Sequence, residues 1–245
     1  MGRVFRCNLH LHTCLSPCGD LDMHPRSIVT ACIDSGLDVI AVTDHNASEN
    51  VRFVQNAARG TGLVVLPGME LCTREEVHIL AIFERTEDLE RLQETVYANL
   101  PGRNDERAFG IQAIVNENGE VEGFNDHLLI GATGMPLTGA VDLIHSLGGL
   151  AVASHIDRPA FGIIGQLGFV PPDAGLDALE VSPRMSVRQA RQLHPELSSF
   201  TIVTSSDAHT PDDIGRGCTR MFLESPSFPE IALALSRREG RYCLE

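Results

Sequence analysis

Seven short apolar runs, rich in β-branched residues, punctuate the sequence, and helical patterns lie between most of them. They cover residues 4–11, 37–42, 63–66, 77–83, 150–153, 177–181 and 201–204. Several are near-continuous rather than alternating, as in strands covered on both faces. Pro25 sits where a helix begins, Ile28, Val29, Cys32 and Ile33 supply a three- and four-spaced stripe, and Gly36 stops it. Ser48 is placed to cap a second helix carrying Val51, Val54 and Ala58, and further helices are expected over about residues 139–147, 186–193 and 228–239. This alternation predicts an α/β chain built on a parallel sheet or barrel.

One segment breaks the rhythm. Residues 84–100 are charged and helix-prone, and residues 111–115 and 120–124 flank Asn118-Gly119, a hairpin turn signal. Residues 84–138 read as an insertion or lid between barrel strands, with a surface hairpin of no special role as the alternative. A chain of 245 residues with 43% hydrophobic content fits one large domain spanning residues 1–245.

The polar residues fall where the runs end. The first ends in His10-Leu11-His12, and side chains two apart on a strand share a face, so both imidazoles can reach one point. The second ends in Thr43-Asp44-His45-Asn46, and the third in Pro67-Gly68-Met69-Glu70, with His78 soon after. The fifth ends in Ser154-His155, and the last in Ser206-Asp207-Ala208-His209. In parallel α/β folds the carboxyl ends of the strands form the ligand face. The link from Glu70 to His78 is too short for a helical crossover, so the fourth run returns antiparallel and brings His78 to the rim of Glu70. Imidazoles and carboxylates in this number predict a site for more than one Zn²⁺, Mn²⁺ or Fe²⁺ ion, with Glu70 placed to bridge. His24, His127, His145 and His194 lack such partners and are read as non-ligands.

Composition narrows the chemistry. All nineteen basic residues are Arg, so mechanisms that need a lysine are excluded. A net charge of −14 disfavours duplex nucleic acid as a partner and favours a small substrate. Seven cysteines, an odd number, and no leader-like segment fit a reducing, cytoplasmic setting, and no apolar run is long enough for a membrane span.

Together these motifs resemble the polymerase-and-histidinol-phosphatase (PHP) family of metal-dependent phosphoesterases, in its stand-alone form. The match runs through H-L-H-T at His10 to Thr13, G-L-D-V-I-A-V-T-D-H-N at Gly36 to Asn46, P-G-M-E ending at Glu70, V-H-I-L at His78, A-S-H at His155 and S-D-A-H at Ser206 to His209. The resemblance implies a distorted (β/α)₇ TIM-like barrel with two or three metals at its carboxyl-end rim. It implies that His10, His12, Glu70 and Asp207 hold the first, and that Glu70, His78 and His155 hold the second. His45 and His209 would hold a third with one ligand from the loop after the first strand. There the chain departs from the family's S-D-G: it reads Ser16-Pro17-Cys18-Gly19-Asp20, and Asp20 is taken as the ligand, with Cys18 as the alternative.

Two ions ~4 Å apart can share a hydroxide that attacks a phosphoester at neutral pH. On this reading Glu70 and Asp207 are catalytic, and Asp44 orients a ligand or passes a proton. Arg158, Arg184 and Arg74 are candidate phosphate clamps. The expected substrate is a small phosphorylated molecule, a nucleotide or an oligonucleotide end. The rivals are a catalytically silent metal-binding PHP module and an amidohydrolase, the latter disfavoured because its usual bridging lysine is missing.

Overall fold

The computed structural model describes residues 2–244. Its strands are β1 (Arg3–Asn8), β2 (Val39–Val42), β3 (Val64–Cys72), β4 (His78–Ile82), β5 (Ala113–Val115), β6 (Val121–Phe124), β7 (Leu150–Ala153), β8 (Ala178–Val181), β9 (Ile202–Thr204), β10 (Thr219–Leu223) and β11 (Tyr242–Leu244). The helices are α1 (Pro25–Asp34), α2 (Val51–Ala57), α3 (Thr86–Asn99), α4 (Glu106–Phe109), α5 (Leu137–Ser146), α6 (Ile163–Leu167), α7 (Val187–Leu193) and α8 (Phe228–Leu235).

Nine strands form one sheet in the order β11-β10-β1-β2-β3-β4-β7-β8-β9. The sheet curls until its far edge meets the continuation of β1. There Leu11 bridges Ala208 in parallel, and the Asp207 and His12 amides donate to the His10 and Ala208 carbonyls at 3.0 and 3.1 Å. The result is a nearly closed barrel of seven strands, matching the seven apolar runs, with β10 and β11 added antiparallel beside β1. As the short link required, β4 runs antiparallel to both β3 and β7.

Alternate residues on the strands enter two apolar clusters, as the two-residue period dictates. Ile40, Met69, Ile79, Ala151 and Leu179 pack outwards with α1, α2, α3 and α5. Val39, Leu66, Leu80, Val152 and Ala178 fill the lumen, with Ile231, Ala234 and Leu235 of α8 in the same cluster. The Leu235 carbonyl accepts from Thr201 at the start of β9, so α8 closes the end away from the carboxyl rim.

Local details depart from expectation. Helix α2 begins at Val51, and Ser48 does not cap it, because its hydroxyl donates to Gln93. The Asn50 side chain is drawn instead to Thr13 Oγ1 (2.9 Å) and the Ala113 carbonyl (3.1 Å), and it accepts from the Val115 amide (3.0 Å). Strand β3 runs on to Cys72, past Pro67. Within segment 84–138, α3 packs Leu89, Leu92 and Val96 into the outer cluster, while the β5–β6 hairpin is tied to the loop after β1 through Cys14 and Asn50.

Candidate metal centre

Glu70 lies at the middle of the rim, almost completely buried, and five imidazoles face it. His78 Nδ1 and His155 Nε2 lie 2.9 and 3.1 Å from Oε1, with His10 Nε2 at 3.3 Å. His45 Nδ1 and His12 Nε2 lie 3.0 and 3.4 Å from Oε2. Asp207 supplies the second carboxylate, with Oδ1 3.1 Å from His12 Nε2 and 3.2 Å from His10 Nε2. His209 stacks on His12 with ring centroids 4.2 Å apart.

The backbone aims these groups. Glu70, His78 and Glu180 continue the inward face of their strands one step above the apolar lumen. His155 and Asp207 turn inward at φ of 26° and 50°, left-handed conformations that non-glycine residues adopt at a cost. Gly68 lets β3 approach its neighbours: a Cβ there would lie 2.8 Å from the Thr43 methyl and 3.0 Å from the Val42 carbonyl oxygen.

Groups behind the imidazoles set their tautomers. His10 Nδ1 donates to Glu180 Oε1 at 2.9 Å. His12 Nδ1 donates to Ser16 Oγ at 2.9 Å, and that hydroxyl donates to Asp44 Oδ1 at 2.6 Å. In the neutral rings both Nε2 atoms, 3.1 Å apart, therefore turn their lone pairs toward one point. Asp44 does not reach the centre. Its carboxylate accepts from the Thr13 amide, the Thr13 hydroxyl and Ser16, so it acts on His12 only through Ser16. Glu180 was not singled out by sequence reasoning, although a lone acid inside an otherwise apolar, doubly covered strand is the signal that could have found it.

Charge follows this arrangement. Burial works against a proton on His12, but hydrogen bonds to Asp207 and Glu70 outweigh it and push its pKa up to about 9. His45 is also pushed up to about 9, burial and His12 opposing, Glu70 and a hydrogen bond with Cys18 prevailing. Burial lowers His78 to about 4 and, helped by the charge on His12, His209 to about 3. Glu70 is buried as well, yet the surrounding imidazoles hold it well below the usual carboxylate range.

Such a cluster calls for cations. Six imidazoles and two carboxylates converge, with Arg158 paired to Asp207 Oδ2, and His155 Nδ1 is buried without a hydrogen-bond partner. Three groups each bring their donor atoms within 4.8 Å of one another: His10, His12 and Glu70; His45, Glu70 and His78; and His12, His45 and His209. Nitrogen and oxygen donors of this kind fit Zn²⁺, Mn²⁺ or Fe²⁺.

The remaining expected residues fall as follows. Asp20 stands outside the cluster: it is exposed, and its Oδ1 accepts from the Asp22 amide at 2.8 Å. The alternative, Cys18, is exposed as well, and its thiol is among the groups that raise the His45 pKa. Arg158 reaches Asp207 Oδ2 at 2.6 Å, and Arg184 shares a pocket with it. Arg74 is exposed and pairs with Glu75 at 3.2 Å, not with the cluster. His24, His127, His145 and His194 serve elsewhere: His24 caps α1, His127 stacks on Tyr97, and the other two pair with Asp177 and Glu196.

A nearly closed α/β barrel with a buried histidine–carboxylate centre at the carboxyl ends of its strands defines a metal-centre barrel. The PHP domain model matches residues 8–165, and the chain belongs to the PHP family. It is 29% identical over 103 residues to the uncharacterized protein YqxK of Bacillus subtilis, a match covering 40% of this chain and 26% of that protein. In structure it resembles the lesion-specific endonuclease Q of Pyrococcus furiosus, with a TM-score of 0.79 at 18% identity, over 98% of this chain and 58% of that one. It also resembles a protein from Bifidobacterium adolescentis assigned as a metal-dependent phosphoesterase, with a TM-score of 0.55 at 20% identity, over 83% and 87% of the two chains. The match thus spans less than two thirds of the length of the first two. Among the described residues, no helix is long and apolar enough to cross a membrane.

Proposed function

We propose that the protein is a metal-dependent phosphoesterase that hydrolyses a phosphorylated molecule of the nucleotide or oligonucleotide-end type. The observation that carries this reading is the placement of five imidazole nitrogens within 3.4 Å of the two oxygens of Glu70, beside Asp207 and a pocket lined by arginines.

His10, His12, His45, His78, His155, His209, Glu70 and Asp207 would hold two or three divalent ions. Bound there, such ions supply Lewis-acid stabilisation of phosphate oxygens and an activated water at neutral pH. Glu180, Ser16 and Asp44 keep the His10 and His12 rings oriented. Arg158, half-exposed and paired with Asp207, stands at the mouth, where its fork can pass from that carboxylate to a phosphate. Arg184 lines the same pocket and is its second clamp. Segment 84–138, hydrogen-bonded to the rim loops, is where substrate choice resides.

The test is a panel of phosphomonoesters, phosphodiesters and dinucleotides run on the native protein and on Glu70→Gln. Metal-dependent turnover in the native protein, lost in the variant, supports the reading. Equal activity in both would mean a contaminant, and no turnover in either would favour the silent metal-binding module.

A further inference from the structure

Between β9 and β10 the described residues form no α-helix. The connection carries only a short 3₁₀ turn, Pro211–Asp213, and β10 then leaves to pair with β1. Two adjoining pockets open along this seam. One, of about 430 Å³, lies beside Ser206 and Asp207 and is lined by Arg158, Arg184 and Arg216. The other, of about 480 Å³, shares Pro183 and Arg216 with the first and continues along β9 past Arg188 and Arg220.

Five of the nineteen arginines thus follow one path away from the metal centre, in a chain of net charge −14. The acids on that path are already engaged, Asp207 by Arg158 and Asp213 by Arg216. Arg184, Arg188 and Arg220 have no carboxylate within ion-pair distance among the described residues. Nearby Asp38 is held by Arg3 at 3.0 Å and by the Arg6 amide at 2.8 Å. The sheet register adds a separate observation: exposed Arg220 stands directly opposite exposed Arg6 across β10 and β1. Like charges facing each other across strands destabilise a sheet, and the Arg6 guanidinium turns to the Ser35 carbonyl at 3.5 Å.

We propose that this groove holds a single-stranded oligonucleotide whose end reaches the metal centre, an inference that rests on the phosphoesterase reading above. Arginine forks spaced along a groove match the repeated phosphates of a backbone, which the planar guanidinium binds bidentately. The inner end of the groove opens at Asp207, so its occupant must present an ester to that centre. A duplex is disfavoured, because its second strand would lie over the acidic remainder of the surface.

The experiment uses native, metal-loaded protein and fluorescein-labelled, phosphorothioate-linked oligothymidylates of one to eight nucleotides, followed by anisotropy. Affinity should rise with length to about four nucleotides and then level, and should weaken with salt. Arg188→Ala/Arg220→Ala should lose roughly three- to tenfold in affinity per arginine on the longer oligomers. Its salt slope should fall by about one per arginine. It should bind thymidine monophosphate and hydrolyse bis(p-nitrophenyl) phosphate as the native protein does. It should also be no less stable, since Arg6 loses a like-charged neighbour. Affinity independent of length, or equal losses on mono- and oligonucleotide, overturns the groove assignment. Length-dependent binding with no hydrolysis of any phosphoester overturns the hydrolase reading alone and leaves the groove assignment supported.

Discussion

His10 donates through Nδ1 to Glu180 Oε1 at 2.9 Å, and the same Glu180 oxygen accepts from the His155 amide at 3.2 Å. One buried carboxylate on β8 therefore fixes the ring of a histidine after β1 and the backbone of another after β7. Carboxylates behind a ligating imidazole typically contribute ten- to a hundredfold in metal affinity. Glu180→Ala should weaken Zn²⁺ or Mn²⁺ binding by about that factor. Titration against a chelating dye reads the loss; unchanged affinity would remove Glu180 from the centre's support.

Stability should depend on pH with opposite signs in the metal-free and metal-loaded protein. His12 and His45 are raised from 6.5 to about 9 without metal, so their contribution is full below pH 6.5 and is lost as pH rises toward 9. His78 and His209, lowered to about 4 and 3, act below pH 6.5, where their contribution is lost as pH falls. The lowered Glu70 and Asp207 carboxyls lose theirs further into acid. Metal-free protein should thus be most resistant to urea near pH 6.5 and weaken toward pH 8.5. Ions compete with protons for these nitrogens, so metal-loaded protein should strengthen over the same interval. Parallel slopes in the two forms would contradict this account.

Asn50 joins the rim to the β5–β6 hairpin through three hydrogen bonds, to Thr13, Ala113 and Val115. Asn50→Ala leaves buried partners unpaired and should cost about 1–3 kcal/mol. It should also speed amide exchange over residues 111–124. Protection there equal to that of the native protein would show the hairpin to be held by other contacts.

Gly68→Ala should cost about 1–3 kcal/mol, because the new methyl meets both neighbouring strands. Thr43 cannot swing aside freely, since its hydroxyl accepts from the Leu11 amide at 3.1 Å. Any shift of β3 is passed to Glu70, so metal affinity should fall together with thermal stability. A stable variant of native affinity would mean that β3 tolerates the crowding.

Much of this centre could be read from residue order because two periodicities agree. His10 and His12 share a face through the two-residue repeat, and carboxyl ends of parallel strands converge whatever the sequence distance between them. The reversal of β4 followed from the short link between Glu70 and His78. Other features depended on contacts that no local pattern encodes. Glu180 reads as one residue of a strand until the barrel brings His10 against it. The loop that carries Cys18 and Asp20 follows no repeat, and its own hydrogen bonds shape it, one of which takes the Asp20 carboxylate back to Asp22. Strands β10 and β11 escaped notice because exposed residues such as Arg220 and Tyr242 interrupt their apolar pattern. Arg188 and Arg216 came into view only when two pockets proved to share a wall.

The central claim is that side chains from β1 to the loop after β9 share cations around Glu70. Elemental analysis of protein purified without chelator, then loaded with Zn²⁺ or Mn²⁺ and desalted, tests it most directly. The account predicts two or three ions per chain in the native protein and a clear deficit in Glu70→Ala, while a native value of none or one would contradict it.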